Sequence, residues 1–557
     1  MSFRRAAQLI FLIIFLALLA RAGHIKEADL FLRMDPALVG ITAIAARMWT
    51  WLFLPALIVV LSALLFGRVF CGYICPMGTT LDFSDKCIPR PTGKTERSPQ
   101  RLSPRLNRYI LVFLVGAGLA GVSLVSWASP LALITRFYGL VVYPVTELIA
   151  DQSLVFLYPL ASWLDIRSLM FAEIHPSRFT AQFFVLVLFI LIFAAGWITP
   201  RFWCRYLCPA GGILAVAAGK PLLRRRVSDE CNGCGICAQK CPMGAIDRLH
   251  PERTNHSACI SCRTCEANCP QEAIEFSLLA RPGSHMARET GVSTSRRYFL
   301  MAGAAGMGTA ALSLTGLHAV SGKETEGWVQ PARLIRPPGA IPEPMFRAAC
   351  VRCGECMRAC PTNTLQPIWF AAGFLGMFSP AITPDRKYCD PRCTICGEVC
   401  PTGAIRTLSA GERVWARTGT AVIYRQKCLA WEHQKSCMVC DEVCPYNAIE
   451  FEKIADLPYP VPHVKEDRCA GCGYCEHYCP VTNEAAIVVT PMNALRLQAG
   501  SYREAGQIRK FNLSLRPPTE GLQPKPYPGV SGGEIESPEG EAENGSEELA
   551  PGFDRGY

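Results

Sequence analysis

The sequence predicts a helical membrane bundle carrying three small α+β domains. Two observations do so: five apolar stretches, and six cysteine quartets arranged in three pairs. At 557 residues the chain has room for several domains, and half of it is apolar. The formal charge of +10 is scattered, which argues against nucleic acid as a partner and suits topology signals beside a bilayer. The 29 cysteines are too regularly spaced for a disulfide scaffold, so ligation explains them better than pairing.

The apolar stretches lie near residues 6–20, 48–66, 109–127, 180–199 and 298–320. A bilayer needs about 20 mainly apolar residues per span. Arg4 and Arg5 precede the first stretch and Ala20-Arg21-Ala22 follows it, which also fits a cleaved signal peptide. Basic residues set the orientation. Residues 67–108 hold eight Lys/Arg and three acids, Arg224, Arg225 and Arg226 follow the fourth stretch, and Arg296 and Arg297 precede the fifth. All three regions are expected on the cytoplasmic side. Residues 140–164 are apolar but interrupted by Pro144, Glu147, Asp151 and Pro159, and read as an interfacial or re-entrant element on the opposite face.

The fifth stretch carries a further signal. Ser295-Arg296-Arg297-Tyr298-Phe299-Leu300 leads into an Ala/Gly-rich run, the pattern of a twin-arginine export signal. The plainer reading is an ordinary anchor with basic residues inside. Recognition by the twin-arginine translocase would put the chain beyond about residue 321 in the periplasm.

The first pair of quartets is Cys231-Cys234-Cys237-Cys241 and Cys259-Cys262-Cys265-Cys269. The second is Cys350-Cys353-Cys356-Cys360 and Cys389-Cys393-Cys396-Cys400. The third is Cys428-Cys437-Cys440-Cys444 and Cys469-Cys472-Cys475-Cys479. Most read C-x2-C-x2-C-x3-C-P, which resembles two-cluster ferredoxins. That resemblance implies a [4Fe–4S] cube in each loop of three thiolates, with the fourth cysteine reaching the neighbouring cube. Cys231, Cys234, Cys237 and Cys269 would hold one cluster and Cys259, Cys262, Cys265 and Cys241 its mate; the other pairs would cross alike. Two quartets depart from the pattern: Cys389 to Cys393 has one extra residue, and Cys428 to Cys437 encloses Trp431 and His433, a rival ligand. A four-cysteine zinc site is the alternative, although zinc sites use separated C-x2-C knuckles. An apolar return such as Pro-Met-Gly-Ala-Ile follows four of the quartets and forms an internal repeat.

Two shorter motifs end the second and fourth stretches: Cys71-Gly72-Tyr73-Ile74-Cys75-Pro76 and Cys204-Arg205-Tyr206-Leu207-Cys208-Pro209. Both read C-x3-C-P, with Arg68, Arg201 and Arg205 nearby. Residues i and i+4 share a helical face, so Cys71, Cys75, Cys204 and Cys208 could converge as a redox dithiol, a metal site or part of a quinol pocket. Structural capping is the alternative. Cys87 is unassigned.

With these motifs in view, residues 1–280 resemble the NapH/MauN-type membrane polyferredoxins, and residues 293–500 resemble the NapG/MauM type, a twin-arginine segment followed by four quartets. In that family the two are usually separate subunits of a quinol dehydrogenase serving periplasmic nitrate reductase; here they look fused. The expectation is a bundle of four spans plus a fifth twin-arginine span, with three ferredoxin-like α+β two-cluster domains. Its parts are a membrane domain (1–215), a cytoplasmic ferredoxin domain (225–280), the internal signal or anchor (293–320), and two periplasmic ferredoxin domains (345–408 and 420–495). A disordered acidic tail (501–557) closes the chain, with seven acids between Glu534 and Glu548. Six [4Fe–4S] clusters would carry electrons in a bacterial inner-membrane protein, from quinol to a periplasmic c-type cytochrome or reductase. The rival readings are a metal (copper) reductase and a maturation or regulatory protein for a periplasmic enzyme.

Overall fold

The computed structural model describes residues 3–25, 27–49, 51–88, 103, 105–167, 174, 176–278, 284–286, 295–314, 333–455 and 457–517. The acidic run, residues 315–320 of the fifth stretch and residues 89–102 of the basic loop lie outside them.

The bundle is built from α1 (Phe3–Ala20), α2 (Pro36–Ala46), α3 (Leu54–Phe66), α4 (Pro76–Cys87), α5 (Leu106–Leu119), α6 (Pro130–Phe137), α7 (Tyr143–Trp163), α8 (Gln182–Ala194), α9 (Pro209–Ala217) and α10 (Arg296–Leu314). Among the described residues two helical stretches are long and apolar enough to cross a bilayer, Phe3–Ala20 and Pro130–Pro159. The stretches expected at 48–66, 109–127 and 180–199 form shorter helices, so length and composition do not support four spans plus a fifth. The cause is local. α3 begins only at Leu54, after a 3-10 turn at Trp51–Phe53 and with proline in its own first turn; Gly121, at φ 84°, follows the end of α5; α8 tightens into a 3-10 turn, Ala195–Trp197. Residues 140–164 also differ from expectation, because helix continues through the interruptions. Pro144 lies where a π-helical turn, Tyr138–Val142, passes into α7 inside the continuous helical stretch, and Glu147 accepts from the Ser177 amide.

Helix direction is readable from the ends. The start of α1 is tied to α4 by Arg4 and Asp82, while its last carbonyl, Ala20 O, accepts from Arg358. Thr180, just before α8, donates to Pro367 O, and Arg201, just beyond it, pairs with Asp82. Helix α10 runs parallel to α5: Tyr298 meets the Tyr109 ring, and Gly303 lies against Gly116. Small residues let these two backbones touch, as in membrane helix pairs. Residues 225–280 therefore sit at one end of α1, α3 and α8, and residues after 333 at the other.

Each quartet pair is framed by short antiparallel strands in one scheme. The strand before the first quartet pairs with the one after the second: β1 (Arg224–Ser228) with β2 (Ile274–Ser277), Ala340 with Ile405, β6 (Thr420–Ile423) with β9 (Ile487–Thr490). The two inner segments pair likewise: Ile246 with Thr254, β4 (Leu365–Pro367) with β5 (Pro380–Ile382), β7 (Ile449–Glu452) with β8 (Val461–Val464). A further strand, β3 (Ser284–Met286), flanks β1. This is the two-fold α+β arrangement expected of ferredoxin domains. The second and third pairs share one apolar core, which also takes in Leu140 and Phe179 of the first 215 residues.

Residues 501–517, expected as the start of a disordered tail, are ordered. Ser501 caps a helix, Tyr502–Ile508; Tyr502 and Leu513 are buried and Phe511 lies under the Arg417 guanidinium. Tyr502 and Phe511 give this stretch enough apolar area to pack, which the acidic run beyond it lacks.

Candidate metal centres

The fold mixes the quartets. Cys231, Cys234, Cys237 and Cys269 line one cavity of about 300 Å³. Cys259, Cys262, Cys265 and Cys241 line another of about 360 Å³. Cys389, Cys393, Cys396 and Cys360 line one of about 350 Å³. Cys469, Cys472, Cys475 and Cys444 line one of about 340 Å³. Cys428, Cys437, Cys440 and Cys479 line the largest, about 390 Å³. Cys350, Cys353 and Cys356 lie within electrostatic reach of Cys400. In every case three thiols come from one run and the fourth from its partner run. The long loop before Cys437 returns that thiol to its cavity, with Trp431 Nε1 donating to Pro462 O at 3.2 Å. His433 is exposed and lines no such cavity among those described.

The apolar returns have a specific role. In three of the four returns an amide donates to the crossing cysteine, Ala245 to Cys241 Sγ at 3.3 Å and Ile405 to Cys400 and Ala448 to Cys444, each at 3.4 Å; outside the repeat, Ala486 donates likewise to Cys479 at 3.4 Å. Such N–H···S bonds favour thiolate over thiol. Burial acts the other way and pushes Cys259, Cys265, Cys393 and Cys440 up to about 12. These sulfurs ionise when a cationic group enters and protons leave. Among the described residues no three His, Cys, Asp or Glu side chains converge on a single ion. Thiols that surround a volume rather than a point fit an iron–sulfur cube and not a zinc ion.

Sequence reasoning missed the buried arginines. Arg225 donates to Cys237 Sγ at 3.5 Å and Arg413 to Cys389 Sγ at 3.2 Å. Arg225 belongs to a run read only as a topology signal.

The C-x3-C-P motifs form a second kind of site. Each is a π-helical turn, Phe70–Ile74 and Trp203–Leu207, that hands the chain to a helix with proline in its first turn. Cys75 and Cys208 occupy equivalent N-cap positions with ψ 117° and 112°. The two repeats exchange partners, α4 packing on α8 and α9 on α3. The structure thereby brings Cys71, Cys75, Cys204 and Cys208 within electrostatic reach of one another. Burial raises Cys75, Cys204 and Cys208, Cys204 to about 11. Arg201 crosses between repeats to donate to Cys71 O at 3.1 Å and Gly78 O at 3.2 Å, and Arg68 approaches Cys71 Sγ at 4.0 Å. The first quartet pair sits on this cluster. Tyr73 Oη donates to Ser261 O at 3.0 Å, and a Cβ on Gly72 would lie 2.7 Å from Ile260 O. Cys87 is exposed and takes no part.

Comparison with known proteins agrees with this chemistry. A 4Fe-4S binding domain family matches residues 48–95 and again 181–228, the two C-x3-C-P repeats. Two 4Fe-4S dicluster domain families match 230–274 and 435–483, and another 4Fe-4S binding domain matches 346–366. The methylamine utilization ferredoxin-type protein MauM of Methylorubrum extorquens is 36% identical over 208 residues, 36% of this chain and 90% of that protein. The ferredoxin-type protein NapG of Escherichia coli is 32% identical over 191 residues, 32% of this chain and 79% of NapG. The chain belongs to the MauM/NapG family of ferredoxin-type proteins. Protein NirI of Paracoccus denitrificans is 30% identical over 225 residues, 38% of this chain but 27% of NirI. This MauM/NapG-type chain is an iron–sulfur electron-transfer protein, and the remaining sequence extends beyond what MauM or NapG aligns with.

Proposed function

We propose that the chain is a quinol dehydrogenase of the bacterial inner membrane, a NapH/MauN-type membrane part fused to a NapG/MauM-type part. In this reading the six mixed quartets are ligands of six [4Fe–4S] clusters, which take up and pass on single electrons when bound. The first quartet pair is cytoplasmic and the other two pairs periplasmic, serving a c-type cytochrome or reductase there. Cys71, Cys75, Cys204 and Cys208 form the site at which quinol gives up its electrons. Tyr73, Tyr206 and Trp203 suit an amphipathic ring at interfacial depth.

The observation that carries this reading is the seating of quartets at both ends of the same helices. At one end Ser261, between Cys259 and Cys262, is bonded to Tyr73 and Phe66. At the other, Arg352, between Cys350 and Cys353, is bonded to Arg136. Helix α10 joins the two ends and packs along α5, so it supports an anchor that stays in place after export.

Anaerobic reconstitution of the purified chain tests the proposal. About 24 iron atoms per chain and bleaching of the visible absorbance by a quinol analogue are expected. Iron near about 16, stoichiometric zinc, or a spectrum indifferent to quinol would overturn it.

A further inference from the structure

Arg136 is an arginine inside an apolar helix, flanked by Ile134, Thr135 and Phe137 and only 1% exposed. A buried guanidinium needs a negative partner. Among the described residues no carboxylate answers it. Its Nε donates to Arg352 O at 3.0 Å, its Nη2 to Ser126 O at 3.3 Å, and its Nη1 has no partner. Arg352 is 2% exposed and equally unanswered: Nη1 donates to Ser126 Oγ at 2.6 Å, Nη2 to Leu375 O, and Nε has no partner. Two like charges thus lie buried side by side. The groups that attract them there are the sulfurs of Cys350 and Cys353.

The bundle grips this loop at further points. Leu140 covers Gly354, where a Cβ would meet its Cγ at 3.4 Å. Arg358 lies 3.9 Å from the Tyr143 ring centroid and also donates to Ala20 O. Phe378 sits 5.0 Å beneath Arg136.

We infer that Arg136, supplied by the membrane part, raises the reduction potential of a cluster held by Cys350, Cys353, Cys356 and Cys400, and that this cluster is the port through which electrons pass between the bundle and the second half. The inference rests on the proposed ligation of this quartet. Four thiolates leave a [4Fe–4S] cluster negative, and reduction adds one more charge. A fixed, buried cation favours the reduced state. Arg225 faces a sulfur of its own ferredoxin unit, and Arg413, from the segment between the second and third units, faces Cys389. Arg136 comes from a different part of the chain, so docking of the second half and tuning of its first cluster are one event.

The test is an EPR-monitored redox titration of the full chain, reconstituted anaerobically, as wild type, Arg136→Gln and Arg136→Lys. Arg136→Gln is expected to move one cluster at least tenfold toward the oxidised form, about 59 mV for one electron. Arg136→Lys, which keeps the charge, is expected to stay near wild type. Loss of about four iron atoms in Arg136→Gln but not in Arg136→Lys would support the same conclusion. Unmoved midpoints in a fully loaded Arg136→Gln, or equal shifts or iron losses in both variants, would overturn it. Iron content of Cys353→Ser separates the layers. Iron equal to wild type would overturn the ligation of this quartet as well, whereas a normal iron loss with an unmoved Arg136→Gln potential overturns the inference alone.

Discussion

Arg201 is fully buried, and its guanidinium reaches both Asp82 oxygens at 2.6 and 2.8 Å as well as two carbonyls of the other repeat. Removing Arg201 leaves Asp82 with Arg4 as its one counter-charge and takes the donor from two buried carbonyls, at a cost of about 1–3 kcal/mol. Arg201→Met should therefore lower the thermal stability of the detergent-purified chain sharply, and Arg201→Met with Asp82→Asn should recover part of the loss. A double variant no better than the single one would mean that the carbonyl bonds matter more than the ion pair. The thiols beside Arg201 allow a functional prediction at the same scale. Cys75→Ser with Cys208→Ser keeps similar volume and leaves all six quartets intact. Iron should stay near about 24 atoms per chain while reduction by quinol is abolished. Normal quinol-driven reduction would make these motifs structural and move the pocket elsewhere.

Among the elements, α10 makes the closest helix contact. A Cβ on Gly306 would collide with Phe113 O, whereas one on Gly308 meets open space. Gly306→Leu should displace α10 and lower thermal stability in detergent, and Gly308→Leu should change little. Equal effects would show that helix propensity, not packing, is being read. The ferredoxin units make a different prediction. Their sheets have two or three strands, too few to stand alone, and cysteines such as Cys356, Cys396 and Cys475 form part of the apolar core. Iron removal should leave unfilled volume and repelling sulfurs, so cooperative folding depends on the metal. Limited proteolysis after chelation should cut residues 333–517 faster than in the loaded chain; an unchanged digestion pattern would mean that the protein core suffices.

For the whole molecule the question is which side each half occupies. Residues 225–280 and residues after 333 pack on opposite ends of α1 and α8, and α10 runs from one end to the other. Replacing Arg296 and Arg297 by lysine keeps the charge but not the twin-arginine pattern. The second half should then stay in the cytoplasm, protected from protease added to spheroplasts. Digestion of that half in the variant would show that export uses another signal.

Ligation chemistry was legible in the sequence because a cube of fixed size dictates loop length: three thiols within seven residues, a fourth four residues on, then proline. The recurring Ala-Ile return was legible as a repeat, and in three of its four copies an amide reaches the crossing sulfur. Cys71, Cys75, Cys204 and Cys208 could be singled out by spacing, but their meeting depends on α4 and α9 exchanging partners across more than a hundred residues. Helix length was misjudged at 48–66, 109–127 and 180–199 because hydropathy continues through glycines and 3-10 turns where regular helix does not. The order of residues 501–517 was missed because Tyr502 and Phe511 bury their rings against residues distant in sequence. Arg136 is the clearest case. Its sequence shows only a charge inside an apolar helix, and what answers that charge, the sulfurs of a loop more than two hundred residues away, exists only once the chain has folded.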